Sequence, residues 1–157
     1  MRSRKQSTRM PHAGFTLVEL MVTVALLAVL VAIAMPVYTR EIQKSRRTDA
    51  RSAVLDLAGR EERFFSLANN YSQLPTDLGY AGAFPQLVGS GYYTITVTVP
   101  DPAFVAAGGI GPSFVITATP VGTQVNDTDC QSFSDNQIGK QSSLNSAPAD
   151  STPICWN

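Results

Sequence analysis

The chain has 157 residues, room for one domain plus an apolar segment and tails. Its 12 Lys and Arg balance its 12 Asp and Glu, yet the charges are unevenly placed: residues 1–14 hold four basic residues and no acid, residues 40–63 hold seven basic and five acidic ones, and residues 64–157 set Lys140 against six aspartates. So acidic a distal region argues against general nucleic-acid binding by that half.

The first stretch is a basic leader, Arg2, Arg4, Lys5 and Arg9, running into Pro11-His12-Ala13-Gly14. A secretory signal places its small-residue cleavage site after the apolar part; here the small residues come before it, so a cut after Gly14 would leave the apolar run attached. That run, Phe15 to Tyr38, is about 24 residues, or roughly 36 Å of helix, long enough to cross a hydrocarbon core. The leader predicts an N-in orientation, with most of the chain outside the cytoplasm. Glu19 is the only formal charge in the run, and an ionisable group inside a membrane segment is a functional candidate by default. Loss of the leader would remove His12, the sole histidine, and leave eight basic residues against twelve acidic ones. Without an imidazole the usual general bases and metal ligands are missing, which weakens every enzyme reading.

Gly14-Phe15-Thr16-Leu17-Val18-Glu19-Leu20, behind a short basic leader and ahead of an unbroken apolar helix, resembles the prepilin signal of the type IV pilin family. The resemblance implies cleavage after Gly14 by a dedicated prepilin peptidase, N-methylation of Phe15, and assembly through the helix. It also implies an α+β pilin fold: a long N-terminal helix packed on an antiparallel sheet of about four strands, with a C-terminal disulfide loop. Glu19 becomes the fifth residue of the mature chain and sets register between subunits. A carboxylate there could pair with a Phe15 amine, and it complements the positive end of the helix dipole. The implied partners are other pilin subunits, the peptidase, an inner-membrane assembly platform and, before assembly, membrane lipid. No cofactor is implied. The implied setting is a single-pass inner-membrane subunit with a periplasmic domain that then enters an extracellular pilus.

Five segments follow: a cleaved leader over 1–14, a transmembrane and filament-core helix over 15–38, an amphipathic half of the same helix over 39–68, a helix-to-sheet loop over 69–91, and a sheet with a disulfide-bounded end over 92–157. Pro36 falls inside the helical pattern, where a proline removes a hydrogen bond and kinks the helix. Beyond Arg40, Ala50, Ala53, Val54, Leu57, Phe64, Phe65 and Ala68 recur at helical spacing, with Glu61 and Glu62 interrupting the stripe. The basic cluster from Arg40 to Arg51 suits headgroup contact before assembly or salt bridges between packed helices. DNA binding through it is the weaker reading, because no aromatic residues interleave with it.

Asn69-Asn70-Tyr71 ends the helix. Tyr93, Ile95, Val97 and Val99 alternate with Thr94, Thr96 and Thr98, the clearest strand in the chain. A second runs from Ser113 to Thr119 with Phe114, Ile116 and Ala118 on one face. Gly108 to Gly111 reads as a turn, with no phosphate-loop context. Third and fourth strands are expected at 130–133 and 137–142, around a turn at Ser134-Asp135-Asn136. Asp127 and Asp129 could suggest calcium, but two carboxylates in a polar turn are more often solvated; Asn126-Asp127-Thr128 matches a weak glycosylation pattern. Outside the cytoplasm Cys130 and Cys155 read as one disulfide pinning a Ser- and Pro-rich tail, over a loop of about 25 residues. The late cysteine pair and short distal region resemble the minor pilin group more than a large adhesive major pilin. The pair also disfavours a type II secretion pseudopilin, which commonly has a calcium-stabilised loop instead. Twitching motility, adhesion and DNA uptake stay open as roles, with DNA uptake disfavoured by the acidic distal region.

Overall fold

A computed structural model describes residues 14–157; the leader residues Arg2, Arg4, Lys5, Arg9 and His12 lie outside them. The longest element is helix α1 (Leu17–Ala68), which continues through Pro36. The chain divides into two units after Tyr38. In the first, every large apolar side chain of α1 is exposed. This stretch is apolar all round, so it has no single face to bury on a core.

In the second unit α1 becomes one-sided. Ala50, Val54, Leu57 and Glu61 are its buried residues, three or four positions apart and so on one face, while Ser52, Leu55, Asp56, Gly59 and Glu62 are exposed. The helix ends where Asn69 takes a left-handed φ of 54° and donates its N–H to the Phe65 carbonyl at 2.8 Å, a C-cap that asparagine tolerates better than most residues.

The sheet is an antiparallel meander of five strands in chain order: β1 (Gln86–Val88), β2 (Tyr93–Thr98), β3 (Val115–Pro120), β4 (Ser132–Asn136) and β5 (Ser142–Leu144). Its register lines up the buried side chains. Ile95 faces Ala118, which faces Phe133; one row further, Val97 faces Ile116, which faces Asp135. These residues pack with Ala50, Val54 and Leu57 into one core, extended by edge-on ring pairs Tyr93–Phe133 and Tyr71–Phe114 with centroids 5.8 and 4.6 Å apart. Each fully buried Val, Leu or Ile contributes about 1.5–3 kcal/mol by transfer from water. On the outer face the Thr94 and Thr96 hydroxyls donate across the strand pair to the Thr119 and Thr117 carbonyls.

The alternation read over Tyr93–Val99 and the apolar face of Phe114, Ile116 and Ala118 both appear in this core. Other elements differ from expectation. Strand β1 lies inside the stretch read as a connecting loop; at three residues it is too short for alternation to show, and its pairing with β2 makes it a strand. The turn expected at 134–136 is displaced. Asn136 closes β4 and its Oδ1 accepts the N–H groups of Ile138 and Lys140, so the chain reverses beyond it, where Gly139 takes a φ of 69°. Glu61, read as breaking the apolar stripe, belongs to its buried row, whereas Ala68 is exposed.

The tail is held by more than the disulfide. Ser143 and Leu144 form part of β5, Ser151 N–H donates to the Ser143 carbonyl at 2.9 Å, and Trp156 Nε1 donates to the Ser142 carbonyl at 3.0 Å. A short helix α2 (Thr152–Cys155) then carries Cys155 to Cys130, both buried and bonded across 25 residues. Closing that loop restricts the unfolded chain, so reduction should lower unfolding free energy by about 3–4 kcal/mol. Denaturant titration with and without reductant measures this; labelling of the native protein with a thiol reagent should fail until reductant is added.

Candidate functional site

In the first unit Gly14 and Phe15 precede α1, and Phe15 is 81% exposed. A Cβ built on Gly14 would meet no atom of the described residues within 4 Å, so packing among them does not require glycine there. Thr16 caps the helix: its Oγ1 accepts the Glu19 N–H at 3.2 Å, satisfying one of the donors that a helix start leaves unpaired. Thr16-Leu17-Val18-Glu19 has the spacing of a capping box, a signal in the sequence that reading Glu19 for its charge alone passed over. Glu19 is exposed in the first turn, amid Leu17, Val18, Leu20 and Met21, all more than half exposed. Among the described residues α1 is the one helix long and apolar enough to cross a membrane.

In the second unit the basic cluster is divided between two uses. Arg47 grips Asp127 with two hydrogen bonds of 2.7 Å and reaches Asp129 at 3.4 Å. The paired geometry holds the guanidinium more firmly charged, its pKa raised chiefly by the hydrogen bond to Asp127. Arg46 lies 3.4 Å from the centroid of the Tyr92 ring and bonds Thr123. Arg51 donates to the Asn157 carbonyl at 2.8 Å. These three arginines are spent on holding loops and the chain end against α1. Arg40 and Lys44 are exposed and make no ion pair among the described residues; with Arg47, Asn126, Asp127 and Asp129 they line a polar groove of about 750 Å³.

This geometry corrects two expectations. Asp127 is not solvated: its side chain is 2% exposed beneath Arg47, whereas that of Asp129 is 64% exposed. Aromatic company for the cluster does exist, since Tyr92 comes to Arg46 from a distant part of the chain. The sequon's Asn126 is exposed on the groove wall. Among the described residues no three His, Cys, Asp or Glu side chains are grouped to hold a metal ion. Of the residues singled out from sequence, Gly14, Phe15 and Glu19 gather at the start of α1, Pro36 lies within it, and Cys130 and Cys155 meet in the disulfide.

Comparison with known proteins agrees with this layout. Residues 9–35 match the prokaryotic N-terminal methylation motif. Residues 36–134, well over half of the chain, match the family described as type IV minor pilin ComP, DNA uptake sequence receptor. The type IV major pilin protein PilA of Myxococcus xanthus (strain DK1622) is 35% identical over 70 residues, which are 45% of this chain and 32% of that protein. The aligned part therefore spans about a third of that relative's length. A solved type IV pilin from Shewanella oneidensis is similar at 22% identity and a TM-score of 0.44, over 63% of this chain and 89% of that one. That likeness is loose, and the assignment rests on the motif and family matches. With a methylation motif leading into an exposed apolar helix, and a family match over the helix-and-sheet domain behind it, the chain belongs to the type IV pilin family.

Proposed function

We propose that this pilin is made as a precursor, cut after Gly14, N-methylated on Phe15, and built into a pilus as a minor subunit through residues 15–38. The observation that carries the proposal is the coincidence of the Gly14–Glu19 motif with a helix whose large apolar side chains are all exposed up to Tyr38. Such a surface needs lipid before assembly and other pilin helices after it. The peptidase and an inner-membrane assembly platform follow as partners, with the domain on the periplasmic side before export. Glu19 sets the register: buried among apolar helices, its carboxylate is costly unless it meets an amine, and the new terminus at Phe15 supplies one in a neighbouring subunit. Pro36 gives the helix a place to bend or open, since its nitrogen donates no hydrogen bond.

Mass spectrometry of mature protein should find Phe15 at the N-terminus, carrying one methyl group; residues 1–14 retained in assembled pili would end the processing proposal. Glu19→Ala should still insert and be cleaved, yet enter pili at a small fraction of the wild-type level. Unchanged incorporation in an immunoblot of sheared pili would leave Glu19 without this role.

The match to a DNA uptake receptor family favours a second reading, a pilin that takes up DNA. This moves DNA ahead of adhesion and twitching, although the acidic distal region had argued the other way. Arg40 and Lys44, exposed and without ion pairs among the described residues, are the natural phosphate contacts. In a mobility-shift titration of the full chain in detergent, duplex DNA should be retarded at low salt. The double substitution Arg40→Ala and Lys44→Ala should weaken that retardation, and its salt dependence should flatten. No retardation at the lowest salt would remove the DNA reading and leave the filament role intact.

A further inference from the structure

Glu61 is fully buried on the core-facing row of α1, a place where helices carry aliphatic side chains. Its Oε2 accepts the Ser72 N–H at 3.1 Å, and its Oε1 has no hydrogen-bond partner among the described residues. The same short segment draws in two more carboxylates. Tyr71 donates its hydroxyl to Glu62 at 3.0 Å, and the Ser72 hydroxyl donates to Asp77 at 2.7 Å. Three acids from α1 and the turn at Pro75–Leu78 thus converge on two consecutive residues. Arg60, the nearest arginine in the chain, is turned to Asp56 and to the Leu78 carbonyl.

We infer that the folded domain carries Glu61 as the neutral acid, and that ionisation of Glu61 loosens residues 69–79 from α1, so that the domain is less stable in alkaline than in mildly acidic surroundings. A buried carboxylate with one hydrogen bond leaves most of its charge unsolvated, whereas the neutral acid costs far less in the same place. The charged groups that bear on Glu61 are Glu62 on its own helix and Asp77 on the turn packed against it, and both oppose a further negative charge. Desolvation is the largest cause, the Ser72 N–H acts the other way, and together they raise the Glu61 pKa from 4.5 to about 7. The segment it holds also seats Tyr71 between Phe65 and Phe114, at ring distances of 4.8 and 4.6 Å, so loosening it opens one end of the core.

The sign follows from linkage. The folded state holds the proton more tightly than the unfolded chain, so the stabilisation is full below pH 4.5, falls as pH rises towards 7, and is lost above it. The folding equilibrium constant should fall on the order of tenfold to a hundredfold between about pH 5 and pH 8. A pilus stands in the surrounding medium, so this change lies within what its subunits meet.

Denaturant unfolding of the full chain in detergent, at both pH values, tests the inference with wild type and Glu61→Gln. The glutamine keeps the shape of the neutral acid and cannot ionise. It should match wild type at the lower pH, exceed it at the higher one, and protect the Ser72 amide from hydrogen exchange at both. Asp135, the other buried carboxyl with a raised pKa, is removed from the comparison by repeating it in an Asp135→Asn background. Wild-type stability that does not change between the two pH values would overturn the inference. So would a Glu61→Gln protein that loses stability with pH as wild type does.

Discussion

The domain depends on one constraint: a single row of α1 must cover a single face of the meander. Ala50, Val54 and Leu57 of the helix share one core with Ile95, Ile116 and Phe133 of the sheet, all of them fully buried. Strand register follows from the same need. Because side chains alternate, a slip of one residue in β3 would carry Ile116 and Ala118 outwards and bring Thr117 in. The meander sets each strand beside the one that precedes it in the chain, so the helix has only to seal one finished surface.

Charge is distributed to serve this packing. The basic cluster after Tyr38 would read as a uniform surface from its sequence, but side-chain partners sort it. Arg47 is drawn into a two-pronged contact with buried Asp127, and Gln124 joins the same knot by donating to Asp127, to the Tyr93 hydroxyl and to the Gln43 carbonyl. Removing Arg47 would leave the buried Asp127 carboxylate with the Gln124 amide but no counter-charge, and that desolvation makes such a pair costly to break. Arg40 and Lys44 are exposed and make no ion pair among the described residues.

Periodic features were legible in the sequence and tertiary ones were not. The apolar run, the helix end at Asn69, the strand at Tyr93–Thr98 and the buried face of the next strand all rest on local spacing, which a single sequence displays. The disulfide was legible from cysteine count together with compartment. Strand β1 was not, because three residues carry no period and its identity comes from the Ile95–Tyr93 edge that it meets. The reversal after β4 was misplaced because Ser134-Asp135-Asn136 has turn composition throughout, and only the pairing shows Asp135 directed inward beside Ile116. Asp127 was misjudged for a related reason: its partner lies 80 residues away, beyond any local pattern.

The two glutamates of the apolar stripes show how far composition alone reaches. Both Glu19 and Glu61 interrupt a hydrophobic pattern, and both look like defects that call for a function. Glu19 is exposed among the described residues and its backbone N–H is capped by Thr16. Any cost arises only when lipid or neighbouring helices cover it, and a partner amine can then offset that cost. Glu61 is already covered, by its own domain, and has one donor where a carboxylate needs several. Its cost is present in every folded subunit and is relieved by a proton. In the roles we propose, the same residue type in the same kind of pattern answers to assembly at one end of α1 and to pH near the other, and burial separates the two cases.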